Sequence, residues 1–196
     1  YLSMLLRPDL ATSSALLCTT AAAVAVCRAI DSLRGGSTGI KWVNDIYIDG
    51  KKVCGILTEG MAGFESGRIE NIVIGIGVNY STPSDAFPPE LSAIAGSVFS
   101  KTVPEGVSRN RIAAAIIDNL LPLIDKLGSP DFMDEYRRRS VVIGREVRVL
   151  QGNQVYVAMA EEIDDAGALW VRIPTGERRL VNSGEISLRP LDGSSW

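Results

Sequence analysis

The segment that most constrains this fold is the run from Ala15 to Ala29, apolar apart from Thr19, Thr20 and Arg28. Pro8 and the Thr12, Ser13, Ser14 cluster before it read as a helix start, and Gly35-Gly36-Ser37 after it as a stop. Together they predict one long Ala-rich helix reaching about Leu33. A helix apolar nearly all round has no solvent face, so it belongs in a core. The apolar run is shorter than the about 20 residues that cross a bilayer. It also lacks the charged start and cleavage site of a signal peptide, and no membrane role is expected.

What surrounds this helix is strand. Tyr1 to Leu6 reads as a strand that opens the chain without an initiator Met, as expected for the interior of a longer polypeptide. Ile40 to Ile48 and Lys52 to Glu59 read as two strands joined at Asp49-Gly50, a strong hairpin signal. A third strand runs from Ile69 to Asn79. Tyr80 to Pro104 is rich in Pro, Ser and Ala and reads as loop. Ser108 then caps a helix to about Leu127, with Ile112, Ile116 and Leu120 at helical spacing. A shorter helix, Asp131 to Arg139, ends in three arginines that read as a solvated face. From Gly144 the texture changes to short strands separated by Gly152-Asn153, Asp164-Asp165-Ala166-Gly167 and Thr175-Gly176, the pattern of a small barrel. The boundary falls near Ser140, giving a core over 1–139, incomplete at its start, and a barrel over 140–196.

Composition removes several chemistries. There is no histidine among the 196 residues, so serine–histidine catalysis and histidine-ligated zinc are excluded within this chain. Cys18, Cys27 and Cys54 form no Cys-x-x-Cys pair; Cys18 and Cys27, in the apolar helical run, read as core, and free thiols of this kind suit a reducing cytoplasm. A net charge of -3 leaves no electrostatic footprint for nucleic acid.

Three places hold residues that fit poorly with pure packing. In the second strand, alternation puts Lys52 with Cys54, Ile56 and Thr58, and Val53 with Gly55, Leu57 and Glu59. A lysine leading an apolar strand face can deliver its ammonium to a pocket edge; the local pattern alone favours a surface lysine beside a turn. In the third strand, Ile72, Ile74, Ile76 and Val78 form one face, and Val73, Gly75, Gly77 and Asn79 the other. Two glycines on one face leave either a bare floor for a flat ligand or room for a closely packed helix. Gly75-x-Gly77 is no dinucleotide fingerprint, since the third glycine and following helix are missing. Asn44 and Asp45, poor strand residues, point to a turn or bulge, or to polar work in a site.

Taken in order, these segments resemble the biotin–protein ligases. The family's Lys-Trp-Pro-Asn-Asp stands here as Lys41-Trp42-Val43-Asn44-Asp45, and its Lys-Leu-Ala-Gly-Ile-Leu as Lys52-Val53-Cys54-Gly55-Ile56-Leu57. Its Gly-x-Gly-hydrophobic-Asn stands as Gly75-Ile76-Gly77-Val78-Asn79, and its final segment as Ser183-Gly184-Glu185-Ile186-Ser187-Leu188-Arg189. Val43 and Cys54 depart from the family pattern. The family's Gly-Arg-Gly-Arg loop and the DNA-binding domain of some members lie upstream of the first strand here.

The resemblance implies an α+β fold: a mixed sheet flanked by helices, like that of class II aminoacyl-tRNA synthetases, then an SH3-like barrel. It implies an enzyme that forms biotinyl-5'-AMP from biotin and ATP, with Mg²⁺ travelling on the nucleotide, and passes biotin to a lysine of a biotin carboxyl carrier protein. Lys52 is the implied catalytic residue, against the biotin carboxylate and α-phosphate. Gly55, Ile56, Leu57, Gly75 and Ile76 are expected to line the biotin pocket. Asn44, Asp45 and Asn79 are expected at the nucleotide end, with Phe87 stacked on adenine and Glu185 and Arg189 reaching phosphate from the last domain. No protein cage for metal is expected, and a cytoplasmic homodimer meeting edge to edge is. The rivals of related fold or class are a lipoate or octanoate transferase and a non-catalytic repressor module that senses biotinyl-AMP.

Overall fold

The computed structural model describes residues 1–63, 67–127, 131–151, 154–182 and 186–189. Strand β1 (Leu2–Leu6) leads through a short 3-10 turn, Thr12–Ser14, into helix α1 (Ala15–Arg34). Strands β2 (Gly39–Lys41), β3 (Asp45–Ile48), β4 (Lys51–Ala62) and β5 (Ile69–Val78) follow. Helices α2 (Arg109–Asp125) and α3 (Asp131–Arg138) precede the second group of strands. That group comprises β6 (Glu146–Gln151), β7 (Gln154–Ile163), β8 (Leu169–Arg172), β9 (Arg178–Val181) and β10 (Ile186–Arg189).

The first sheet has the order β1-β5-β4-β3-β2, and every strand pairing in it is antiparallel. The expected mixed sheet is therefore corrected. Parallel pairing is confined, among the described residues, to isolated bridges Ile40–Ser140 and Lys52–Ala95. The single strand expected over Ile40 to Ile48 is also two strands, folded back at Trp42-Val43-Asn44 so that Lys41 faces Asp45. Asn44 sits in that turn, which accounts for a residue that fits strands poorly.

Helix α1 is longer than its apolar run suggested: at 20 residues it could span a bilayer by length alone. Its hydropathy has another cause. Cys18 through Cys27 is buried without a break, because α1 packs on β3, β4 and β5 and under α2 and α3. The isoleucines of β5 meet it: Ile72, Ile74 and Ile76 are buried on the helix side, beside Ile46, Cys54 and Ile56. Ser108 caps α2 as its sequence predicts, its hydroxyl accepting from the Arg111 amide at 3.2 Å, and Ile112, Ile116 and Leu120 are buried.

The second sheet runs β10-β6-β7-β8-β9, again antiparallel throughout. Among the described residues β9 and β10 are its two edges, so the pairing is that of an open sheet and shows no closed barrel. Its inner residues, among them Val147, Val149, Leu169 and Val171, join the same core as α1. Arg137 of α3 and Arg139 just beyond it help join the layers, so the expected solvated face is only partly present. Arg139 lies between Asp31 (2.6 Å) and Glu135 (2.9 Å). Arg137 donates to the Ile163 carbonyl at 2.7 Å and pairs with Asp165. Only Arg138 is exposed.

Candidate active site

The face of the first sheet opposite the helices carries three neighbouring glycines, Gly55, Gly75 and Gly77. Register places Gly77 beside Gly55 and Gly75 beside Leu57, with Ser3 of β1 flanking Gly75 on the other side. Over this floor lies a cavity of about 780 Å³. Asn44, Asp45, Lys52, Gly55, Ile56, Leu57, Gly75, Ile76, Asn79 and Phe87 all border it. Ten positions read from separate stretches of sequence are thus brought to one place. Of the remaining two, Glu185 lies outside the described residues. Arg189 is described only in backbone, paired with Arg148.

Lys52 reaches this face through an irregularity that simple alternation misses. Ile46 pairs with Cys54, but the next residue, Tyr47, pairs with Lys52, so Val53 is an inserted residue of β4. The bulge puts Lys52 on the side of Gly55 rather than that of Cys54 and Ile56, correcting the expected face. Val53 and Cys54 are consequently both buried. The Lys52 ammonium pairs with Asp45 Oδ1 at 2.5 Å, and both side chains remain partly open to solvent. Gly55 is what makes room: a Cβ there would stand 3.2 Å from Lys52 Cε and Nζ. Backbone bonds hold Lys52 on its other side, its amide donating to the Ile94 carbonyl at 2.8 Å and its carbonyl accepting from Gly96 at 2.9 Å.

Asn44 and Asn79 spend their side-chain amides on framing the site. Asn44 donates to the Ile56 carbonyl at 2.6 Å and Asn79 to the Gly96 carbonyl at 3.0 Å. Ile56 and Ile76 border the cavity, yet their side chains are buried on the helix side; Leu57, 61% exposed, is the aliphatic that faces it. The cavity wall also includes Tyr1, Tyr47, Leu91 and Ile94, which sequence reasoning did not single out. Tyr47 and Lys52 were separated by the unseen bulge. Leu91 and Ile94 lie in a stretch whose Pro and Ser content gave a loop and nothing more. Their exposure, 40% and 55%, is the signal that they line something.

No thiol competes as a nucleophile. Burial pushes Cys18 up to about 11 and Cys27 up to about 12, and raises Cys54, directly behind the floor, further still. Among the described residues no cluster of three or more acids, cysteines or histidines is arranged to hold a metal ion.

The fold of this chain matches that of solved biotin protein ligases. The Aquifex aeolicus biotin protein ligase in complex with biotin and ATP superposes over 96% of this chain and 77% of its own, with a TM-score of 0.78 at 21% identity. Residues 1–79 match the biotin/lipoate A/B protein ligase family, and residues 142–189 match the biotin protein ligase C-terminal domain. The chain belongs to the biotin protein ligase family. It is similar to the bifunctional ligase/repressor BirA of Bacillus spizizenii, 35% identical over 93% of this chain and 56% of that protein. It is also similar to the biotin--[acetyl-CoA-carboxylase] ligase of Mycobacterium tuberculosis, 32% identical over 76% of this chain and 52% of that protein. The chain thus spans about half the length of the curated relatives it matches.

Proposed function

We propose that this chain carries the biotin and nucleotide sites of an ATP-dependent biotin–protein ligase. The observation that carries the reading is one cavity joining a glycine floor to a lysine–carboxylate pair at its edge. A flat bicyclic ring lies against the backbone at Gly75, between the Tyr1 ring over Gly77 and the Lys52 side chain across Gly55, with Leu57 beside it and the backbones of Ile56 and Ile76 completing the floor. Its carboxylate then points toward Lys52. In the first step the carboxylate oxygen attacks the α-phosphate of ATP, forming biotinyl-5'-AMP and releasing pyrophosphate. Lys52 stabilises the negative charge that gathers on the carboxylate and phosphate oxygens. In the second step the amine of an acceptor lysine on a biotin carboxyl carrier protein attacks the mixed anhydride, and AMP leaves. Neither step needs a side-chain nucleophile, in keeping with the buried thiols and the absence of histidine.

Asn44, Asp45 and Asn79 serve the nucleotide end, and Phe87 supplies an aromatic face for adenine. Mg²⁺ arrives on the phosphates; Asp45 is the cavity acid suited to its coordination sphere or to a ribose hydroxyl. Glu185 and Arg189 are read as reaching phosphate from the last strand region. The reading includes a cytoplasmic protein and no nucleic-acid contact by this portion. It also includes a homodimer formed at a sheet edge. The β3–β4 hairpin expected to offer that edge is interior to the sheet. The β2 edge is bonded to residues 139 and 141, so β1 is the candidate.

Full-length protein incubated with biotin, ATP and Mg²⁺ is expected to release pyrophosphate and form biotinyl-AMP, and to form no adenylate with lipoate or octanoate. An adenylate of lipoate or octanoate alone overturns the biotin reading. A nucleotide complex with Asn44, Asp45 and Asn79 all remote from ATP overturns the assignment of that end.

A further inference from the structure

The turn that delivers Asp45 to the cavity is held by groups outside the sheet. Trp42 Nε1 donates to the Gly167 carbonyl, in the β7–β8 turn, at 2.8 Å. Tyr136 of α3 donates through its hydroxyl to the Val43 carbonyl at 2.9 Å. Both side chains are buried, and Tyr136 is wholly enclosed. The two anchors are tied to each other, because Arg137, next to Tyr136, donates to the Ile163 carbonyl and pairs with Asp165 of the same β7–β8 turn. That turn is itself fixed. Asp164 Oδ1 accepts from the amides of Ala166 and Ala168, at 3.0 and 2.9 Å. Gly167, at φ +82°, sits so close to α1 that a Cβ would stand 3.2 Å from Thr20 Cγ2. Asn44 and Asp45 follow Val43 directly, and Asp45 holds Lys52 at 2.5 Å.

We propose that Trp42 and Tyr136 are positioning residues for the Lys52–Asp45 pair, and that through Trp42 the second sheet takes part in setting the cavity's charged edge. The inference rests on the functional reading above for its link to adenylation. The clamp itself stands on geometry alone. Neither side chain touches substrate; each fixes one carbonyl or one ring of a three-residue turn, and the carboxylate one position on inherits that placement. A side chain held this way loses little freedom when the ligand arrives, and displacement by even 1 Å costs rate steeply.

The test uses full-length protein without ligands, labelled with limiting acetic anhydride and mapped by mass spectrometry. An ammonium held by a carboxylate acylates slowly. Trp42→Phe and Tyr136→Phe are each expected to speed Lys52 acetylation several-fold, toward the rate in Asp45→Asn. Neither should add to that rate in the Asp45→Asn background. Lys51, bonded to the Ser92 carbonyl on the neighbouring surface, is expected to label as in wild type. In the same variants biotinyl-AMP formation should fall about 10-fold or more in kcat, with little change in KM for biotin. Unchanged Lys52 labelling alongside a lowered Tm overturns the proposal, as does equal acceleration of Lys51, which marks general loosening. If Trp42→Phe does not fold, Tyr136→Phe decides alone. If the wild-type protein makes no biotinyl-AMP, the functional reading fails, and the labelling still decides the clamp.

Discussion

In the first sheet, Lys52 and Asp45 meet at the edge of a cavity whose floor includes Gly55, Gly75 and Gly77. In the second, Arg172 and Arg178 share Glu161 on an outer surface, at 2.5 and 2.9 Å, and Arg178 also lies 4.9 Å over the Trp170 ring. Both are five-stranded antiparallel sheets with one face in a common core. What separates them is the use of the other face. The second carries mutually satisfied charges there, which solvent screens, beside the exposed Met159 and Leu180. The first leaves glycine at Gly55, Gly75 and Gly77 and puts one ion pair where a ligand could displace water. Charge at a concave face is available for binding; charge spent on its neighbours in open solvent is not.

The contrast breaks most visibly at Lys52. Lys52→Ala is expected to lower biotinyl-AMP formation by about 10²–10³. It should barely move the thermal midpoint, because the pair it breaks is solvent-accessible and contributes about 0–1 kcal/mol to folding. A rate near wild type in a pyrophosphate-release assay would remove Lys52 from the chemistry.

Next in size is the floor. A Cβ at Gly75 would meet only the Leu57 carbonyl, at an ordinary 3.7 Å, so the backbone accepts a side chain there. Gly75→Val should therefore keep the fold by circular dichroism while biotin affinity falls about 100-fold, or about 2.8 kcal/mol. Titration calorimetry returning the wild-type affinity would mean that biotin lies elsewhere.

A smaller effect comes from pH at the joint between α1 and α3. Burial alone would raise the Glu135 carboxyl. Hydrogen bonds from Arg28 and Arg139, with their charges, outweigh it and hold the group below its ordinary value of 4.5. A depressed acid of this kind stabilises the fold above pH 4.5, and that contribution is lost as pH falls through its lower, folded-state value. Glu135→Gln is expected to flatten this part of the acid limb in urea midpoints measured from pH 5 downward. An unchanged slope would mean that the joint carries no linked proton.

The smallest effect belongs to the second sheet's surface. Arg178→Ala should cost about 0–1 kcal/mol and leave adenylate formation as it was. A large loss of activity there would make the outer face functional and collapse the contrast between the sheets.

Much of this was legible before any coordinates. The periodicity of Ile72, Ile74 and Ile76 against Gly75 and Gly77 gave both faces of β5, and the Ala-rich run gave the central helix. Three features were hidden for physical reasons. A one-residue bulge at Val53 inverts the face of Lys52, and nothing in local composition announces it. The Trp42–Asn44 turn divides what reads as a continuous strand, although Asn44 and Asp45 left that open. The arginines at the end of α3 and just beyond it look like a solvated run, yet Arg137 and Arg139 find partners in residues far along the chain, beyond any local pattern. Barrel closure, too, depends on long-range pairing, and the described strands form an open sheet.

The central claim is that the glycine-floored cavity with Lys52 at its edge makes the adenylate that biotinylates a carrier. The most direct measurement is the intact mass of a biotin carboxyl carrier domain after incubation with full-length protein, biotin and ATP. The account predicts one added biotinyl group, mapped to a single lysine, and almost none when Lys52→Ala or Gly75→Val replaces the wild type. A carrier unchanged by a protein that binds both biotin and ATP would contradict it, as would full modification by the Lys52→Ala variant.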